Sequence, residues 1–171
     1  MPDNKGQLLP VYVLVDESAS MSDYIDELNS GLASFYDTVR SEPMIAAKIR
    51  LTVIGFSDNI AVRIALADLR QTEALPKMYI RKTTNYNAAF ADLITRIPDD
   101  VKALKHDGYL VHRPAVFFLS DGLPNDDRRN ENWVDTHRRL TDRGSTVGAP
   151  NIVAFGVGEA AEGRGRSRSP T

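Results

Sequence analysis

The chain contains no cysteine at all. That absence excludes disulfide scaffolds, thiolate zinc sites, iron–sulfur clusters and cysteine nucleophiles together, and it removes any reason to invoke an oxidising compartment. Histidine is scarce, with His106, His112 and His137 as its three copies. His106 and His112 fall in a polar stretch between elements, and His137 stands in a charged helix beside Arg138 and Arg139. Neither Gly-x-Ser-x-Gly, Gly-x-Gly-x-x-Gly nor the Walker pattern occurs, so a serine-hydrolase elbow and a phosphate-cradling loop are both missing. Glycine (11) and proline (9) are too few for a low-complexity protein. No charge dominates either: 21 Lys+Arg against 23 Asp+Glu leave a net charge of −2, which argues against a general nucleic-acid or anionic-membrane binder. The longest early apolar run, from Leu8 to Val15 around Pro10, is far short of the roughly 20 residues a membrane helix needs. It also lacks the basic start and small-residue cleavage site of a leader. These absences lead to the expectation of a cytoplasmic protein.

What is present is enough for one domain. A chain of 171 residues buries about 70% of its unfolded surface without help from metal or disulfide. Val11 to Val15, Ala115 to Leu119 and Ile152 to Val157 are continuously apolar, as suits parallel strands covered on both faces. Ile49–Phe56, the turn Ser57-Asp58-Asn59 and the run from Ile60 to Leu66 read as an antiparallel hairpin at a sheet edge. Helical stripes lie between: Tyr24, Leu28, Leu32, Phe35 and Val39, then Phe90, Leu93, Ile94 and Ile97, with Pro98 expected to end or restart the second. Residues 131 to 143 form a weaker helical pattern. The alternation predicts a doubly wound α/β fold with a mainly parallel sheet and one antiparallel edge strand. Residues 1–158 read as the domain, and 159–171, alternating arginine with glycine and serine, as a disordered tail.

In open α/β sheets ligands bind beyond the carboxyl ends of the strands. After the first strand stand Asp16, Ser18 and Ser20, at alternate positions that direct three side chains one way. After the 115–119 strand stands Ser120-Asp121-Gly122, and ahead of the Phe90 helix stands Thr83-Thr84-Asn85. Carboxylates and hydroxyls without imidazole or thiolate suit a hard divalent cation, Mg²⁺ before Ca²⁺ or Mn²⁺, and disfavour zinc. One coordination position is left for an incoming carboxylate. Taken singly these residues are ordinary turn and cap formers, with Ser22 or Asp23 a candidate cap of the first helix. Their joint occurrence at two strand ends favours a shared metal site.

At these positions the sequence resembles the von Willebrand factor A domain, whose five-residue metal-ion-dependent adhesion site matches Asp16, Ser18, Ser20, Thr84 and Asp121 in order and separation. The stretches DESASM and FFLSDGLPNDD resemble most the stand-alone bacterial members associated with tellurium resistance. The resemblance implies a binding module with no catalytic step. Ser18 and Ser20 would be direct Mg²⁺ ligands, Thr84 a direct or water-mediated one, and Asp16 and Asp121 would balance charge through water. A partner's Glu or Asp would complete the shell. Two departures stand out. Lys82 and Thr83 replace the family's glycine pair, which makes Thr83 a rival to Thr84 and sets Arg81 and Lys82 near the cation. The chain also lacks the family's usual last helix and strand, which leaves a sheet edge that a homodimer could cover. A haloacid-dehalogenase-like phosphatase also places an aspartate after its first strand, but it needs a second acid two residues on, where this chain has Ser18. A metal-independent scaffold is the remaining alternative.

Overall fold

A computed structural model describes residues 5–121, 133–144 and 148–156. The elements are β1 (Gln7–Asp16), α1 (Ile25–Arg40), α2 (Pro43–Ala46), β2 (Ile49–Phe56), β3 (Ile60–Ala67), α3 (Tyr86–His106), β4 (Leu110–Val111), β5 (Ala115–Ser120), α4 (Trp133–Thr141) and β6 (Asn151–Gly156). The sheet runs β3-β2-β1-β5-β6, with the short β4 also paired to β1. All pairings are parallel except β2–β3, the expected hairpin. The expected tail, Gly122 and residues 131 and 132 lie outside the described residues.

The continuous apolar character of β1 follows from its place between β2 and β5. Tyr12 and Leu14 point to one face and pack with α3 residues Phe90, Leu93 and Ile97. Val11, Val13 and Val15 point to the other, with Leu32 and Val39 of α1. Pro10, unusual inside a strand, falls where β1 changes partner: β4 pairs Gln7 and Leu8, and β5 begins at Val11. The Leu9 N–H reaches Lys48 O on the β2 side, so by alternation the position of the missing N–H faces the gap between β4 and β5.

Four local expectations are corrected, the first being that the run from Ile152 to Val157 is covered on both faces: Val153 and Phe155 of β6 are 46% and 48% exposed. Pro98 neither ends nor restarts a helix; α3 continues through it, held by the buried Ile97 and Val101. In α1 it is Tyr36, not Phe35, that joins Leu32 and Val39 in the core, and Phe35 is 36% exposed. Tyr36 can be buried because its hydroxyl donates to Thr72 O and accepts from Arg40 at 2.6 Å. Neither Ser22 nor Asp23 caps α1. A 3₁₀ turn over Ala19–Met21 leads into it instead, and Tyr24 takes the cap position without a side-chain bond.

His137 of α4 sits edge-on to Phe90, ring centroids 5.2 Å apart, and burial holds its pKa below the ordinary 6.5. It therefore binds fewer protons folded than unfolded. Its contribution to stability is full above the unfolded value and is lost as pH falls from there through the folded one. Urea unfolding of wild type and His137→Gln from pH 8 to pH 5 should show their stability difference constant at the alkaline end and shrinking on acidification. Burial raises Asp16 and Asp100 instead, which acts in the opposite direction but cancels between the two proteins.

Candidate functional site

The sheet order turns at β1: β2 lies to one side of it and β5 to the other. The crevice beyond the carboxyl ends of β1 and β5 is therefore the place where this topology binds ligands. Asp16 is the last residue of β1, Ser120 is the last of β5, and Asp121 follows it.

Asp16 is 1% exposed and organises the crevice. Its Oδ1 accepts from the Ser18 N–H at 2.9 Å and from Thr84 Oγ1 at 3.4 Å, and its Oδ2 accepts from Ser120 Oγ at 2.8 Å. Burial pushes its pKa up, the Ser18 and Ser120 hydrogen bonds pull it down, and the nearby Asp121 charge raises it again. The 3₁₀ turn, pinned by the fully buried Met21, folds the loop so that the Ser18 and Ser20 hydroxyls share a hydrogen bond of 3.0 Å. Ser18 is buried and Ser20 faces solvent.

The segment ahead of α3 separates the two threonines. Thr83 turns to the β2–β3 turn, where its hydroxyl donates to Asp58 and its backbone N–H and carbonyl both meet the Ser57 hydroxyl. Thr84 turns to Asp16. Asn85 caps α3, its side-chain oxygen accepting from Ala88 N at 3.0 Å. All five residues singled out in the sequence, Asp16, Ser18, Ser20, Thr84 and Asp121, thus come from three segments to one crevice.

Two further groups belong to it. The Tyr86 hydroxyl lies 2.5 Å from Ser120 Oγ. Because Ser120 gives its proton to Asp16, Tyr86 is the donor in that pair. Burial raises the Tyr86 phenol to about 12, so it remains a donor at neutral pH. Beneath it Phe56 and Phe118 stack with centroids 5.0 Å apart, Tyr86 meets both edge-on, and Phe90 extends the stack. The floor is apolar and buried. The sequence signal for Ser120 was its place one residue before Asp121 at a strand end; nothing local marked Tyr86.

Among the described residues no three His, Cys, Asp or Glu side chains cluster, so a cation here would depend on hydroxyl oxygens. The spacing suits one. At metal–oxygen distances of about 2.0–2.1 Å, neighbouring oxygens of an octahedral shell stand about 2.9 Å apart, close to the separation of the two serine hydroxyls.

Arg81 does not face the crevice as its neighbourhood in sequence suggested. Its guanidinium is taken up by the buried Glu17, 3.0 Å away, and by Asn59 and Gly55 O. Lys82 is exposed, and its carbonyl accepts from Ala19 N at 3.1 Å, which sets it beside the serine loop.

No protein-family model and no curated protein sequence matches the chain. Solved structures do. The ArnB paralog VWA2 from Sulfolobus acidocaldarius is 20% identical, with a TM-score of 0.51 over 88% of this chain and 35% of its own. Proximal thread matrix protein 1 from the mussel byssus is 14% identical, with a TM-score of 0.59 over 92% and 40%. The pilus adhesin SpaC from Lactobacillus rhamnosus GG is 14% identical, with a TM-score of 0.53 over 72% and 16%. The chain spans less than half the length of each. No helix among the described residues is long and apolar enough to cross a membrane. With a six-stranded, mostly parallel sheet and one antiparallel strand among the described residues, the chain has a von Willebrand factor A-type fold.

Proposed function

We propose that this chain is a protein-interaction module that captures an acidic residue of a partner protein through Mg²⁺ held by Asp16, Ser18, Ser20, Thr84 and Asp121. The observation that carries the reading is the convergence of Ser18, Thr84 and Ser120 on Asp16 from three segments at the β1/β5 crevice, with the Asp121 charge acting on it and the Ser18 and Ser20 hydroxyls hydrogen-bonded beside it. Two carboxylates leave the cation with little excess charge, and a partner's Glu or Asp at the open position completes its shell. Lys82 at the rim favours an acidic partner surface by charge complementarity. One similar structure belongs to a pilus adhesin, which fits a capture role. The setting we propose is a bacterial stress system of the tellurium-resistance type.

The module turns over no substrate in this reading. A phosphatase of the haloacid-dehalogenase type needs a second acid two residues beyond its nucleophile, and that position here is Ser18.

Affinity capture from the native source, with Mg²⁺ or with EDTA, tests the proposal. A partner retained in Mg²⁺, released by EDTA and missed by Ser18→Ala is the expected result. A partner retained equally in all three conditions would leave a metal-independent scaffold.

A further inference from the structure

Glu17 stands between two of the proposed ligands in sequence and faces away from both. Its side chain is fully buried. Its carboxylate accepts from Arg63 Nη2 at 2.9 and 2.8 Å, from Arg81 Nε at 3.1 Å and from the Tyr79 N–H at 2.9 Å. The backbone is tied as well: Glu17 N–H donates to Phe56 O at 2.8 Å, and Arg81 N–H donates to Glu17 O at 2.6 Å. Arg81 then spans to Gly55 O and Asn59 O, each at 3.0 Å. One carboxylate thus joins the end of β1, the end of β2, the edge strand β3 through Arg63, and the strap of residues 68–85. Thr84 lies on that strap three residues beyond Arg81.

We propose that Glu17 is a positioning residue for the metal site: through Arg81 it fixes the strap so that the Thr84 hydroxyl stands at Asp16. This rests on the metal-binding reading above. The arrangement goes beyond what packing alone requires. Two guanidinium groups converge on a single carboxylate, and the bonds from Glu17 to Tyr79 and Arg81 reach the strap just before it enters the crevice. A planar fork holding one carboxylate and two backbone oxygens fixes direction in a way that a lysine ammonium does not.

The sign of the effect separates positioning from charge. Arg81 is a cation bonded to Glu17, the residue next to Asp16 in sequence, so by electrostatics alone its removal should tighten binding of a divalent ion. Loss of positioning should weaken it. Mn²⁺ titrations followed by electron paramagnetic resonance are compared for wild type, Arg81→Gln, Arg81→Lys, Lys82→Gln, Thr84→Ala and the Arg81→Gln/Thr84→Ala double variant. Both Arg81 variants leave Glu17 its bonds to Arg63 and Tyr79, and Arg81→Lys also keeps the charge. The expected result is binding weakened about tenfold in both, the size typical of groups that orient metal ligands. Lys82→Gln should not weaken binding, and the double variant should be no weaker than Thr84→Ala, because both changes act through one hydroxyl. Arg81→Gln binding as tightly as wild type or tighter, or effects that multiply in the double variant, would overturn the positioning role alone. A wild-type chain that binds no Mn²⁺ would overturn the metal reading and this role with it.

Discussion

Gly55→Ala is expected to destabilise the fold by about 3–5 kcal/mol, the size of effect seen when a buried ion pair is broken. Gly55 is in β2, and a β-carbon built on it would stand 1.9 Å from Glu17 Oε1 and 2.2 Å from Cδ. A flexible carboxylate could swing aside cheaply, but this one is held by Arg63, Arg81 and the Tyr79 N–H. The methyl therefore displaces a buried charge from its partners, and the resulting cost exceeds the fraction of a kcal/mol usual for a surface change. Urea unfolding followed by circular dichroism measures it. The mechanism makes a further demand: in a Glu17→Ala background the added methyl has nothing to displace, so Gly55→Ala should cost little more there. Equal costs in both backgrounds would show that the strand itself, and not the carboxylate, rejects the side chain.

The second large effect concerns binding. Asp16→Asn should weaken divalent binding about a hundredfold or more while leaving the metal-free fold as stable as wild type or more so. The buried carboxylate faces the Asp121 charge and the cost of desolvation, and an amide removes both penalties. Its oxygen still accepts from Ser18 and Thr84, and its NH₂ donates to Ser120, which can then donate to Tyr86. The two proteins diverge when cation is added. With free Mg²⁺ at a hundred times its dissociation constant, wild type should gain about 2.7 kcal/mol of unfolding free energy by mass action, and Asp16→Asn almost none. Parallel urea curves with Mg²⁺ and with EDTA check this. An equal gain in both proteins would place the cation elsewhere, and a metal-free Asp16→Asn much less stable than wild type would make Asp16 a structural anchor first.

Much of the architecture could be read from residue patterns because the relevant forces are local or periodic. Uninterrupted runs such as Val11 to Val15 signal a strand enclosed on both faces, and the Ser57-Asp58-Asn59 turn signals the hairpin. Alternation within Asp16-Glu17-Ser18-Ala19-Ser20 pointed to three oxygens acting together, although the 3₁₀ turn over Ala19–Met21, not an extended loop, is what brings Ser20 to Ser18. What escaped notice depends on tertiary contacts. Glu17 meets Arg63 and Arg81 across 46 and 64 residues of sequence, and no spacing rule connects them. Tyr86 reads as the first apolar residue of a helix, and only its contact with Ser120 gives it a polar task. Phe35 and Tyr36 both fit the α1 stripe within a third of a turn. The choice fell to Tyr36, whose hydroxyl finds Thr72 and Arg40.

The placement of β1 at the centre of the sheet bears on how the molecule assembles over time. The bond from Asp16 to Ser120 closes a loop of 104 residues and its bond to Thr84 one of 68. Closing such loops costs entropy before any contact repays it, and parallel pairings between remote strands form slowly. The crevice should therefore be completed late, after the hairpin and helices have formed. Interactions absent from the transition state act on unfolding. A cation seated among these oxygens would lengthen the lifetime of the native state and leave the rate of reaching it almost unchanged.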